Sequence, residues 1–127
     1  MPKDIDTIVK EVKELAEEVY KILGAGYEEN VYEEAVAVEF RKRKINYEIE
    51  RNTEIMYKGE RVGVHRLDFV VENSLVVELK ALAGIQKSHI AQTKAYLKTL
   101  GLKKALVINF PYPEPEMLMP QIEEVNA

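Results

Sequence analysis

The chain has 127 residues, 46 % hydrophobic and 31 % charged, which is enough apolar material for one domain around its own core. It contains no cysteine, which excludes thiolate zinc sites, thiol nucleophiles and disulfide scaffolds. With 18 basic and 22 acidic residues the formal charge is −4, which weighs against a domain that holds nucleic acid by bulk electrostatics alone.

The opening residues, Met1-Pro2-Lys3-Asp4-Ile5-Asp6, are charged and unlike a signal peptide or a membrane span, so a cytoplasmic protein without membrane association is expected. From Ile5 to Leu23 apolar residues (Ile8, Val9, Val12, Leu15, Ala16, Val19, Ile22, Leu23) recur at three- and four-residue spacing, which predicts a helix with one buried stripe, stopped by Gly24. Gly24-Ala25-Gly26 reads as a turn into a second helix, from about Glu28 to Arg43 through Val31, Tyr32, Ala35, Val38 and Phe40. Its basic end, Arg41-Lys42-Arg43-Lys44, suits the negative pole of the helix dipole.

The period changes at Tyr47. Residues Tyr47 to Tyr57 and Arg61 to Val71 predict two strands around a Lys58-Gly59-Glu60 turn, and Ser74 to Lys80 a third. A helix follows from about Gln86 to Leu100, closed by Gly101, and Lys104 to Phe110 predicts a buried strand. Four of the five prolines lie beyond residue 110, so residues 1–110 are expected to form a single domain and 111–127 an extended tail with one short edge strand near Gln121 to Val125. This order of elements predicts an α/β sandwich.

The hairpin "RLDFVVENSLVVELK" places Asp68, Glu78 and Lys80 among valines, leucines and a phenylalanine. Strand side chains alternate faces, so Leu67, Phe69 and Val71 form one apolar triplet and Leu75, Val77 and Leu79 another. Burying both together requires a three-residue connection, Glu72-Asn73-Ser74, and sets Asp68 opposite Glu78 on the face that carries Val70 and Val76. Two carboxylates so close repel by roughly 1–4 kcal/mol. Lys80 as an ion pair, a proton on one carboxylate, or a divalent cation between them would each offset that.

Asp68 followed after nine residues by Glu78-Leu79-Lys80 resembles the active-site signature of the PD-(D/E)XK nuclease superfamily, with Leu67 where the formal motif has proline. "GYEENVY" (Gly26, Glu29, Tyr32) resembles the G-x-x-E-x-x-Y motif of one small-protein branch, and "HIAQTKAYL" carries Gln92 and Tyr96 at the Q-x-x-x-Y spacing of RecB-type members, with His89 before them. The resemblance implies a restriction-endonuclease-like fold, a mixed central β-sheet flanked by helices with an α-α-β-β-β-α-β core. It implies catalysis by Asp68, Glu78, Lys80 and Glu29, and a metal held by Asp68, Glu78, the Leu79 carbonyl and Glu29. Such hard oxygen ligands suit Mg²⁺, with Mn²⁺ as a substitute. Gln92, Tyr96 and His89, on one helical face, would contact substrate. The implied function is a metal-dependent nuclease acting on DNA. The alternative is a nuclease-fold module that no longer cuts and binds nucleic acid or a protein. A chain this small has little surface for gripping a duplex, so a homodimer or a partner is expected.

Overall fold

The computed structural model describes residues 3–112 and 119–127; the expected extended stretch at 113–118 lies outside them. Helix α1, Ile5–Leu23, begins at Asp4, whose carboxylate accepts the Thr7 N–H at 2.8 Å and is thereby held below its usual pKa. It ends where Gly24 turns to φ 73 and donates its N–H to the Tyr20 carbonyl. Its buried stripe runs Ile8, Val9, Val12, Leu15, Ala16, Val19 and Tyr20, each fully buried aliphatic contributing roughly 1.5–3 kcal/mol of transfer free energy. Ile22, expected in that stripe, is 72 % exposed. Helix α2, Glu29–Lys42, buries Tyr32, Glu33, Val36, Ala37 and Phe40, so its inner face is turned from the expected one and Val38 is exposed.

Strands β1 (Tyr47–Tyr57) and β2 (Glu60–Val71) form a long hairpin closed by Lys58 and Gly59, both at positive φ as a two-residue turn of this hand needs. Strand β3 (Leu75–Lys80) returns antiparallel to β2, with Phe69 paired to Val77, Val70 to Val76 and Val71 to Leu75. Helix α3 (Lys87–Leu100) ends at Gly101 in the left-handed conformation and leads to β4 (Lys104–Asn109), parallel to β3. Strand β5 (Gln121–Asn126) pairs antiparallel with β4 and completes a five-stranded sheet in the order β1-β2-β3-β4-β5. The fold is thus a mixed sheet flanked by helices, of restriction-endonuclease-like form. Among the described residues no helix is long and apolar enough to cross a membrane.

The sheet separates two cores. One joins α1 and α2 to Phe69, Val71, Leu75, Val77, Leu79, Leu106 and Ile108; the other joins α3 to Val70, Val76, Ala105, Val107 and Val125. The three-residue connection and the register of β2 against β3 are those the apolar triplets predict, with one departure. Leu67 packs into the α3 core and not with Phe69 and Val71. The β2–β3 ladder ends at Phe69 and Val77, so beyond it β1 and β2 are a two-stranded ribbon free to coil more strongly. Its inward residues Ile55, His65 and Leu67 accordingly meet α3.

Candidate active site

The end of the β2–β3 ladder forms a fork in the sheet, and the charged residues gather there. Asp68 stands one step past the last ladder pair, and its Oδ2 accepts the Leu79 N–H at 2.7 Å, replacing a backbone acceptor with a carboxylate. This bond ties Asp68 to the strand that carries Glu78 and Lys80. Glu78 is 5 % exposed and has an Oε1 atom 3.5 Å from His65 Nε2. Lys80, at the β3 end, is half-buried and paired in register with Asn109 of β4.

Burial dominates the electrostatics. Desolvation, then the Asp68 charge, push the Glu78 carboxyl up to about 8, against the pull of Lys80. Asp68 is also raised, chiefly by burial, although the Leu79 N–H, a hydrogen bond from Glu33 and the Lys80 charge work the other way. Glu29 lies at the rim and is exposed as a residue, but desolvation and the Asp68 charge raise its carboxyl while Lys80 opposes them. Lys80 acts on all three acids by its field, without a direct ion pair to any of them among the described residues. Of the three ways to relieve the repulsion, burial and the neighbouring charge therefore favour a retained proton.

Glu33, one helical turn after Glu29, is 8 % exposed and hydrogen-bonds to Asp68. Two carboxyl groups share a hydrogen bond only when one carries a proton. His65 stacks on Tyr96 with ring centroids 3.4 Å apart and an interplanar angle of 11°. Burial and the Lys80 charge depress its pKa, which favours the neutral imidazole. Tyr96 is hydrogen-bonded to Gln92, which is exposed, and burial and the Glu78 charge raise its hydroxyl, so Tyr96 lies within the field of the acids. His89 instead accepts the Gln86 N–H on Nδ1 at 3.1 Å and closes a capping box at the start of α3. Neither Glu33 nor His65 was singled out by a motif. Each did carry a signal: Glu33 repeats Glu29 at i+4, and His65 is a polar residue at an inward strand position.

Tyr32 organises the approach to Glu29. Its hydroxyl donates to the Gly24 carbonyl at 2.6 Å and its ring stacks on Phe110 at 4.3 Å and 6°. The turn before α2 is thereby fastened to the end of β4. On the other side Asn109, fully buried, accepts the Leu82 N–H at 2.8 Å and donates to the Leu82 carbonyl at 3.0 Å, which fixes the segment following Lys80.

The donor chemistry fits a hard divalent cation: several carboxyl groups, no thiolate, and buried acids whose repulsion a cation would relieve in place of a proton. The carboxyl groups approach in pairs, and among the described residues no three acid or histidine side chains are already spaced as a ligand set.

No curated protein matches the chain. A solved structure titled "Crystal structure of SSO0001" is similar in fold, with a TM-score of 0.58 at 20 % identity over 76 % of this chain. The matched part is 48 % of that chain, so this protein spans about half the length of the structure it resembles. A sequence profile of the PD-(D/E)XK nuclease superfamily matches residues 6–121, from α1 to the start of β5 and across the whole fork. On that match the chain belongs to the PD-(D/E)XK nuclease superfamily.

Proposed function

We propose that the protein is a metal-dependent nuclease that hydrolyses phosphodiester bonds in DNA, using Mg²⁺ with Mn²⁺ as a substitute. The observation that carries this reading is the burial of Glu78 beside Asp68 where the β2–β3 ladder ends, which raises its carboxyl to about 8. A purely structural role gives no reason to crowd desolvated acids at that point. Asp68 and Glu78, with the Leu79 carbonyl and Glu29, would hold the ion. When bound, it supplies Lewis-acid charge to a phosphate oxygen and makes water a better nucleophile.

The remaining work falls to the chain itself. Lys80 orients the attacking water and offsets charge that builds on the phosphoryl oxygens. The water oxygen forms the new bond to phosphorus, the bond to the leaving sugar oxygen breaks, and that oxygen takes up a proton. Gln92 and Tyr96 hold the strand on the α3 side, and His89 supports them by fixing the start of that helix. Glu33 holds Asp68 from the α2 side. A homodimer would enlarge the surface available to a duplex, and a strict monomer by light scattering at micromolar concentration rejects that part.

The test is cleavage of labelled single- and double-stranded DNA in Mg²⁺ and in Mn²⁺, alongside calorimetric titration with Mn²⁺. Asp68→Asn and Lys80→Ala should each abolish cutting without loss of folded circular dichroism. A wild-type protein that neither cuts nor binds Mn²⁺ more tightly than Glu78→Gln rejects the proposal.

A further inference from the structure

Beside the acidic fork lies a cleft of about 380 Å³, lined by Gly26, Tyr27, Glu28, Glu29, Ala81 and Tyr112. It shares Glu29 with the candidate active site, and Ala81 follows Lys80 directly, so the cleft and the fork are continuous. Its volume is at the small end for ligand sites and suits one planar group. Tyr27 and Tyr112 are 47 % and 51 % exposed, so each leaves much of its side chain open to solvent.

The Tyr27 ring is held in place, and so is the backbone that carries Tyr112. Tyr27 meets the ring of Tyr32 edge-on, at 6.1 Å and 80°, and its N–H reaches the Tyr32 hydroxyl at 3.5 Å. Tyr112 donates its N–H to the Leu82 carbonyl at 3.2 Å, the residue that Asn109 also clamps, and Tyr20 donates to the neighbouring Pro111 carbonyl. Gly26 takes φ 102, a conformation that side chains strain to adopt, and its Cβ direction points at the Tyr112 ring 3.9 Å away. Ordered aromatic rings left open to solvent lose little freedom when something stacks on them.

Charge selects the occupant. Glu28 and Glu29 repel a phosphate that enters this cleft, whereas a neutral ring system is not repelled and gains from the tyrosine faces. We infer that the Tyr27–Tyr112 cleft receives an unpaired nucleobase next to the scissile phosphate, so that the substrate is single-stranded nucleic acid. This rests on the nuclease reading of the fork and adds the strand form. A paired base in a duplex keeps both faces stacked on its neighbours and has none to offer. Base-on-aromatic stacking tolerates any sequence, so the site is expected to select unpaired strands without selecting their letters.

The experiment is fluorescence anisotropy with a labelled 12-nucleotide thymidine oligomer, in Ca²⁺ to hold the acids neutralised, set against a blunt duplex and an abasic oligomer of the same length. Tyr27→Ala and Tyr112→Ala should each weaken binding of the thymidine oligomer by about fivefold to a hundredfold. Tyr27→Phe and Tyr112→Phe should bind as the wild type does, because the ring and not the hydroxyl does the stacking. The abasic oligomer should bind weakly and equally to all five proteins. Alanine variants that bind the thymidine oligomer as tightly as the wild type overturn the inference while leaving the nuclease reading standing, as does a duplex bound more tightly than the single strand. A wild type that binds none of the three nucleic acids overturns both. Unchanged thermal midpoints in the alanine variants separate a lost contact from a lost fold.

Discussion

Replacing Glu78 with glutamine keeps its shape and removes its charge, and the consequence is expected to depend on pH. Burial and Asp68 carry this carboxyl from its ordinary 4.5 to about 8 in the folded chain. Below pH 4.5 folded and unfolded states both hold the proton, and Glu78 adds no pH dependence. Between 4.5 and about 8 the folded state keeps a proton that the unfolded state has released, so stability falls as pH rises. Above 8 the full penalty applies. At about 1.4 kcal/mol for each tenfold change in proton activity, that displacement corresponds to several kcal/mol. Raised carboxyls on Asp68 and Glu29 act in the same direction and remain in the variant. Thermal unfolding in EDTA at pH 5 and pH 9 should show Glu78→Gln overtaking the wild type at the higher pH. At about 3–5 °C per kcal/mol for a domain of this size, the gap should open by roughly 10 °C or more. Because a cation must displace the proton from Glu78, wild-type Mn²⁺ affinity should rise over the same interval. A difference between the two proteins that is the same at pH 5 and pH 9 refutes the assignment of the proton to Glu78.

Three other outcomes follow from particular contacts. Tyr32→Phe keeps the stack on Phe110 and loses the bond to Gly24, so denaturant unfolding should report a cost of about 1 kcal/mol, well below that of Tyr32→Ala. Asn109→Ala removes the acceptor of the Leu82 N–H and one of the two donors to the Leu82 carbonyl, which keeps the Tyr112 N–H, and should cost about 1–3 kcal/mol, with faster hydrogen exchange at Leu82 as the local readout. His65→Phe keeps a ring against Tyr96 but no nitrogen near Glu78; calorimetry should show Mn²⁺ bound about tenfold more weakly while the melting temperature is retained.

Much of this arrangement is legible in the sequence because burial and strand parity act on the same residues. The run from Leu67 to Leu79 has one register that hides both apolar triplets, and it sets Asp68 beside Glu78; the structure has that register. Leu67 escapes the rule because alternation specifies a face only while the ladder is continuous, and the ladder stops at Phe69. Ile22 and Val38 fit a helical period, but period alone does not say where the buried arc ends. Glu33 and His65 lie outside every recognised motif; helical repeat and strand parity mark them only as facing inward, and tertiary packing brings them to Asp68 and Glu78. His89 illustrates the converse: it sits at a motif-like spacing yet caps a helix.

The sheet's early parting between Phe69 and Val77 also has a bearing on how such a chain diversifies. Past that point the β1–β2 ribbon packs on α3 through residues such as Ile55, His65 and Leu67, and its tip at Lys58 and Gly59 belongs to neither core. Segments grafted at that tip, roughly 26 Å along the strand from Asp68, would leave the interior untouched. The scaffold therefore offers an arm that can be lengthened or exchanged, and a new target acquired, without the centre being rebuilt.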